Sequence, residues 1–156
     1  DMSRGLGDVY KRQRLYVLTQ LVILTLYVID PIPWMVDLPN WLRYLALGDV
    51  VAGALVVLAG LIALGTHLTP MPRPKPTTEL VTGGIYRWIR HPLYTGIILV
   101  CAGWAIYTAS ISRLVITMGL WVLFNYKCRL EEQYLLERFE AYKEYMSRTG
   151  RFLPGW

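Results

Sequence analysis

The chain has 156 residues, 54% of them hydrophobic and only 17% charged, with a net charge of +5; soluble domains average roughly 25% charged residues. Such an apolar excess excludes a disordered chain and argues against an ordinary soluble enzyme. Two cysteines, Cys101 and Cys128, and two histidines, His67 and His91, exclude a disulfide framework and a four-cysteine zinc site and leave little material for a metal centre, so no metal is expected.

Residues 3–13 read SRGLGDVYKRQ and show no hydrophobic period. The string resembles read-through from a library adapter, so residues 1–13 are expected to be a non-native or disordered tail, with a short basic cytoplasmic tail as the alternative. In the adapter reading the true start is unknown, which leaves room for an upstream helix. The first apolar block, residues 15–29, is closed by Asp30-Pro31-Ile32-Pro33 and must extend to residue 36 to reach the roughly 20 residues of a membrane span. The second span is predicted over residues 45–68 and contains one acid, Asp49. Pro92, suited to a first helical turn, opens a third over 93–109. A link through Ser110, Ile111, Ser112 and Arg113 leads to a fourth over 113–128 and is short enough to demand an antiparallel hairpin. The blocks are too long for strands and lack period-two alternation. The predicted fold is an all-α integral membrane protein. A single domain over residues 14–156 carries about four transmembrane helices and a C-terminal amphipathic cytoplasmic helix over 130–148.

The basic residues orient this bundle. Arg4, Lys11, Arg12 and Arg14 lie in the N-terminal tail, and Arg73, Lys75, Arg87 and Arg90 lie between spans two and three. Lys127, Arg129, Arg138, Lys143, Arg148 and Arg151 follow span four, whereas the other two loops hold only Arg43 and Arg113. The asymmetry predicts cytoplasmic termini and a cytoplasmic second loop, as in a bacterial or archaeal inner membrane. The positive charge thus reports topology and membrane lipids, and no nucleic-acid partner is expected. Asp49, costly at bilayer depth, is either a boundary residue near Arg43 or a substrate group. Gly53, Gly60, Gly65, Gly103 and Gly119 allow close helix packing, and the cysteines read as small core residues.

Within the second loop, Pro70, Pro72, Pro74 and Pro76 exclude a regular helix and predict an extended polyproline segment. Gly83 and Gly84 follow, permitting a positive φ or the close approach of a ligand. Along 130–148, Tyr134, Leu135, Phe139, Tyr142, Tyr145 and Met146 fall within one arc of roughly 140° on a helical wheel. Glu131 and Arg138 lie inside that arc and Glu132 at its edge. A carboxylate aimed at an apolar surface needs a partner. Either Glu131 pairs with Arg138, or these groups line a polar pocket against the bundle.

The stretch Gly84-Ile85-Tyr86-Arg87-Trp88-Ile89-Arg90-His91-Pro92-Leu93-Tyr94-Thr95-Gly96, followed some 35 residues later by Glu131-Glu132, resembles the integral-membrane methyltransferases. These include the isoprenylcysteine carboxyl methyltransferases and the phospholipid N-methyltransferases. Tyr142, Tyr145 and the ending Arg151-Phe152-Leu153-Pro154 are similar to the carboxyl-methyltransferase branch. Membrane sterol reductases carry a related Arg-His-Pro stretch, usually with Asn where this chain has Leu93. The resemblance spans about half of the chain, from Thr77 onward.

The resemblance implies S-adenosylmethionine as methyl donor, bound by Gly84, Tyr86, Arg90, His91, Pro92, Tyr94, Glu131 and Glu132. His91 and Pro92 sit where helix three begins, so unpaired backbone N–H groups of that first turn would take the donor carboxylate. Glu131 and Glu132 would take its ammonium or ribose hydroxyls. Arg90 would close the pocket or bind lipid phosphate, and Trp88 fits the aromatic belt. With few titratable bases, the site suits an acceptor that is already anionic: a lipophilic or lipid carboxylate or thiol. Arg138 and Arg151 are the candidate catalytic residues holding that anion. An NADPH-dependent membrane reductase and a non-enzymatic helical bundle are the alternatives.

Overall fold

The computed structural model describes residues 2–65 and 79–155, with side chains from residue 11 onward. The described residues form five α-helices: α1 (Met2–Ile29), α2 (Asn40–Leu64), α3 (Pro92–Tyr107), α4 (Ile111–Arg138) and α5 (Ala141–Arg148), with a 3₁₀ turn, Gly84–Arg87, ahead of α3. The all-α expectation holds among them; β-type pairing is limited to two isolated bridges, Met35 with Ser110 and Ile89 with Gly150. The polyproline segment with Pro70, Pro72, Pro74 and Pro76, together with His67, lies outside the described residues.

Three boundaries differ from expectation. α1 extends back through residues 2–13, the stretch expected to be a tail, because an established helix propagates cheaply through residues that do not break it. It also stops at Ile29 instead of reaching residue 36. The Asp30 N–H closes the last turn on the Leu26 carbonyl at 2.9 Å, Asp30 turns to φ +47°, and Pro31 cannot continue the ladder. Thirdly, the expected boundary near residue 129 does not exist. α4 runs unbroken for 28 residues, because nothing between Asn125 and Glu132 interrupts a helix. The break comes ten residues later, at Phe139, whose backbone is extended (φ −123°, ψ 112°). The amphipathic segment is therefore two helices at an angle, and the break lets Tyr142 (1% exposed) and Tyr145 turn inward.

Among the described residues one helix, α2, suffices by length and composition to cross a membrane, and α3 is a shorter apolar helix. These two make the most extensive pairing in the structure, and glycine is the reason. A Cβ on Gly53 would stand 2.6 Å from the Gly96 carbonyl oxygen, and one on Gly103 would stand 2.6 Å from that of Ala46. On Gly60 it would meet Leu93 Cδ2 at 2.9 Å. Small residues let two backbones touch, which drives helix association where no hydrophobic effect operates. Gly65 and Gly119 play no such part: neither would place a Cβ within 4 Å of anything.

At the end of the bundle away from the His91 turn, a polar clasp closes the connections. Asp30 accepts from the hydroxyls of Ser110 (2.9 Å) and Ser112 (2.5 Å), and the Arg113 Nε lies 3.6 Å away. Val36 N–H donates to Ala109 and Ile111 N–H to Trp34, tying the α1–α2 connection to the α3–α4 turn. Between the two ends, Tyr27, Cys101, Leu120, Leu123 and Phe124 form the core, with the Tyr27 hydroxyl donating to the Cys101 carbonyl at 2.6 Å.

Gly53→Val places its branch against backbone that cannot move aside and is expected to lower the unfolding free energy by about 2 kcal/mol or more. Gly119→Ala, facing open space, should change it by less than about 1 kcal/mol. Thermal unfolding of the two variants in one detergent checks the contrast.

Candidate active site

The site forms where three backbone segments meet. After the 3₁₀ turn, Ile89 to His91 run beside the C-terminal segment. Arg90 N–H donates to the Gly150 carbonyl at 2.8 Å and His91 N–H to that of Arg151 at 3.1 Å. His91 caps α3, and Pro92 occupies its first turn. Thr95 secures the same seam from within α3, its hydroxyl donating to the Phe152 carbonyl at 2.8 Å. Gly84 adopts φ +60°, and its Cα faces Ala63 of α2, so the turn backs directly onto that helix. The Tyr145 hydroxyl holds the turn from the other side, donating to the Tyr86 carbonyl at 2.6 Å.

Onto this seam α4 projects two adjacent glutamates with different surroundings. Glu132 is 4% exposed. Its Oε1 accepts from Arg90 Nε at 3.0 Å and Arg151 Nε at 3.2 Å, and lies 3.3 Å from His91 Nε2. Its Oε2 accepts from Arg151 Nη2 at 2.5 Å. Burial raises its pKa, but hydrogen bonds from His91, Arg151 and Arg90 and the His91 charge outweigh this and lower it to about 2. The same bonds push the Arg151 guanidinium upward. Glu131 keeps about a quarter of its side chain exposed. One of its oxygens accepts from the Tyr94 hydroxyl at 2.8 Å, and the other lies 3.6 Å from His91 Nδ1. The His91 ring therefore stands between the two carboxylates.

An aromatic stack carries the site toward the core. Tyr94 lies on His91, with centroids 5.7 Å apart, and on Phe124 at 4.4 Å. Lys127, one turn before Glu131, sets its ammonium 4.9 Å from the Tyr94 ring centroid and donates to Gln20 of α1 at 3.0 Å. Burial pushes the Tyr86 hydroxyl upward, with Tyr145 and Glu131 adding to the effect; Tyr145 is pushed up to about 12 by burial.

The expected residues thus largely converge, with altered roles. Gly84, Tyr86, Arg90, His91, Pro92, Tyr94, Glu131, Glu132 and Arg151 all belong to this neighbourhood. The Arg90 side chain, 9% exposed, binds Glu132 through its guanidinium and donates to the carbonyls of Met146 and Thr149. Of the backbone N–H groups expected to meet a ligand at the start of helix three, that of His91 donates to the Arg151 carbonyl, and Pro92 has none. The remaining first-turn amides of α3 belong to Leu93 and Tyr94. Glu132, placed by the wheel at the edge of the apolar arc, is the more buried glutamate. Arg138 stands two turns beyond Glu131, donating to the Tyr134 hydroxyl at 3.0 Å and covering Phe139. Trp88 is 61% exposed. Thr95, Lys127 and the carbonyls of Gly150 and Arg151 were not foreseen. Lys127 had a legible signal in its four-residue spacing from Glu131; the carbonyls had none.

The lowered Glu132 pKa has a signed consequence. Its stabilisation is complete above the ordinary 4.5 and is lost as pH falls toward 2. Acid unfolding in detergent should therefore show a transition in that window, and Glu132→Gln should weaken its pH dependence while lowering stability at pH 7.

The phospholipid methyltransferase family model matches residues 41–142. Over 115 residues the chain is 30% identical to the protein-S-isoprenylcysteine O-methyltransferase of Schizosaccharomyces pombe, covering 72% of this chain and 48% of that protein. The protein of the same name from Saccharomyces cerevisiae is 38% identical over 48% of this chain and 32% of its own length. That from Mus musculus is 30% identical over 74% and 42%. The chain therefore spans less than half the length of each of these three relatives. The solved structure of the eukaryotic intramembrane Ras methyltransferase, isoprenylcysteine carboxyl methyltransferase, superposes with a TM-score of 0.68 at 21% identity, covering 93% of this chain and 53% of that one. The fold is thus that of a membrane methyltransferase, and the family match covers well over half of the sequence, including the Arg-His-Pro turn and both glutamates: the chain belongs to the phospholipid methyltransferase family and is isoprenylcysteine-methyltransferase-like.

Proposed function

We propose that the chain is a membrane-embedded enzyme that moves a methyl group from S-adenosylmethionine to the carboxylate of a lipophilic, isoprenylcysteine-like acceptor. The observation that carries this reading is the division between the glutamates. Glu132 is saturated by Arg90, His91 and Arg151, whereas Glu131 keeps an exposed portion beside Tyr94. A carboxylate so placed suits the donor's ammonium group, and the residues around it fit the rest of the molecule. The Leu93 and Tyr94 amides at the start of α3 would take its carboxylate. The Tyr86 and Tyr94 rings and the Gly84 backbone would flank its base and sugar. When bound, the donor supplies an electrophilic methyl group.

What the chain itself contributes is orientation and exclusion of water. A carboxylate acceptor is ionised at neutral pH and needs no base, in keeping with a site whose His91 is held between two glutamates. Arg151, with two nitrogens committed to Glu132, and Arg138 are the proposed holders of the acceptor's anion. Lys127, beside Tyr94, adds a third cation, one turn from Glu131. The names of the relatives support a prenylated acceptor, and this reading is preferred to the reductase and scaffold alternatives because the family match is to methyltransferases.

We further infer that α1, α2, α3 and the part of α4 up to about residue 128 are the four spans, with the site beyond them at the cytoplasmic face, where the basic residues concentrate. The curated relatives are eukaryotic, so a bacterial or archaeal inner membrane finds no support in them.

Calorimetry with S-adenosylhomocysteine on the detergent-purified chain tests the reading. Micromolar binding is expected, weakened 10- to 100-fold by Glu131→Gln, which removes a charged hydrogen bond worth about 1.5–3 kcal/mol, with no change in Tm. Absence of binding to folded protein would overturn it.

A further inference from the structure

The cations around the site are not equally committed. Arg90 and Arg151 both bind Glu132. Lys127, near the end of the fourth span, makes no ion pair among the described residues and is held by two neutral groups. Its ammonium donates to Gln20 Oε1 of α1 at 3.0 Å and lies 4.9 Å from the centroid of the Tyr94 ring. Lys127 and Gln20 are both half-buried, and a cation there is costly without an anion beside it. Tyr94 ties the pair to the site, because its hydroxyl donates to Glu131 while its ring faces Lys127. The uncompensated positive charge therefore stands beside the carboxylate assigned to the donor's ammonium group.

The identity of residue 20 decides whether that charge stays available. Thr19 and Thr25, its polar neighbours on α1, return their hydroxyls to carbonyls of their own helix. Gln20 instead reaches across to α4. An ammonium group only donates, so Gln20 turns its carbonyl oxygen to Lys127 and its amide N–H groups away. Glutamate has the same length and would set an anionic oxygen in the same place, neutralising Lys127. Glutamine completes a hydrogen bond and leaves the charge uncompensated. We infer that Gln20 is a specificity-determining residue for the acceptor: it fixes Lys127 beside Tyr94 without neutralising it, so that the compensating anion is the acceptor's own carboxylate. An uncharged group in that position leaves the ammonium unpaired and is disfavoured. The inference rests on the methyltransferase reading and extends it, since it makes α1 part of the acceptor site.

The test compares binding of N-acetyl-S-farnesyl-cysteine and of its carboxamide analogue to the whole chain in detergent, with S-adenosylhomocysteine binding and Tm measured on the same preparations. The carboxylate probe should bind about tenfold more tightly than the carboxamide, because only it offers Lys127 a charged partner. Gln20→Glu should erase that preference while Tm holds or rises, since a new ion pair forms. Gln20→Met, which removes the hydrogen bond and adds no charge, should lower Tm and keep most of the preference. A merely structural role for Gln20 predicts the reverse order, with binding falling alongside Tm. S-adenosylhomocysteine affinity should be unchanged in both variants. Equal binding of the two probes by the unsubstituted chain, or a preference that survives Gln20→Glu, would overturn the inference, and the donor site would still stand if S-adenosylhomocysteine binds. Loss of S-adenosylhomocysteine binding by the folded, unsubstituted chain would overturn the methyltransferase reading and this inference with it.

Discussion

The organisation of the site depends on one buried carboxylate. Glu132 is where the start of α3, the end of α4 and the C-terminal segment are joined, because Arg90, His91 and Arg151 all reach its two oxygens. A buried charge is tolerable only when paired and hydrogen-bonded, and here the pairing also does geometric work. Arg90 and Arg151 lie 61 positions apart in sequence, and neither could be held so closely without the anion between them. The backbone bonds from Arg90 to Gly150 and from His91 to Arg151 then align the two strands of chain.

That arrangement explains how two neighbouring glutamates can differ in use. Glu132 faces into the seam and is consumed by it, while Glu131, about 100° around the helix, keeps part of its carboxylate accessible beside Tyr94. The His91 imidazole links them. In the proposed reaction the chain need not move a proton. It needs a rigid wall, and the network of ion pairs and hydrogen bonds around Glu132 supplies it.

The motif that carries the resemblance is as much structural as chemical. His91 caps α3, Pro92 starts it, Thr95 ties it to Phe152, and Gly96 lets it touch Gly53 of α2. The glycine contact fixes α3 against α2, and α3 in turn aims Tyr94 at Glu131. Packing and site are therefore one construction.

From the sequence alone came the all-helical class, the α3–α4 hairpin and nearly every residue of the site, because hydrophobic blocks and a dense local motif are one-dimensional signals. Tertiary structure decided what those residues do. A helical wheel placed Glu131 inside the apolar arc and Glu132 at its edge, but the extended backbone at Phe139 ends that wheel, and burial went to Glu132. Arg90 and the His91 amide looked available until the C-terminal segment, some 60 residues later in the chain, was seen to occupy them. Helix ends were misjudged where continuity was at stake: polar residues after a membrane block do not stop a helix, and the Asp30-Pro31 turn does. Periodicity reports which residues share a face; only long-range pairing decides which of them are already satisfied and which are left to meet a ligand.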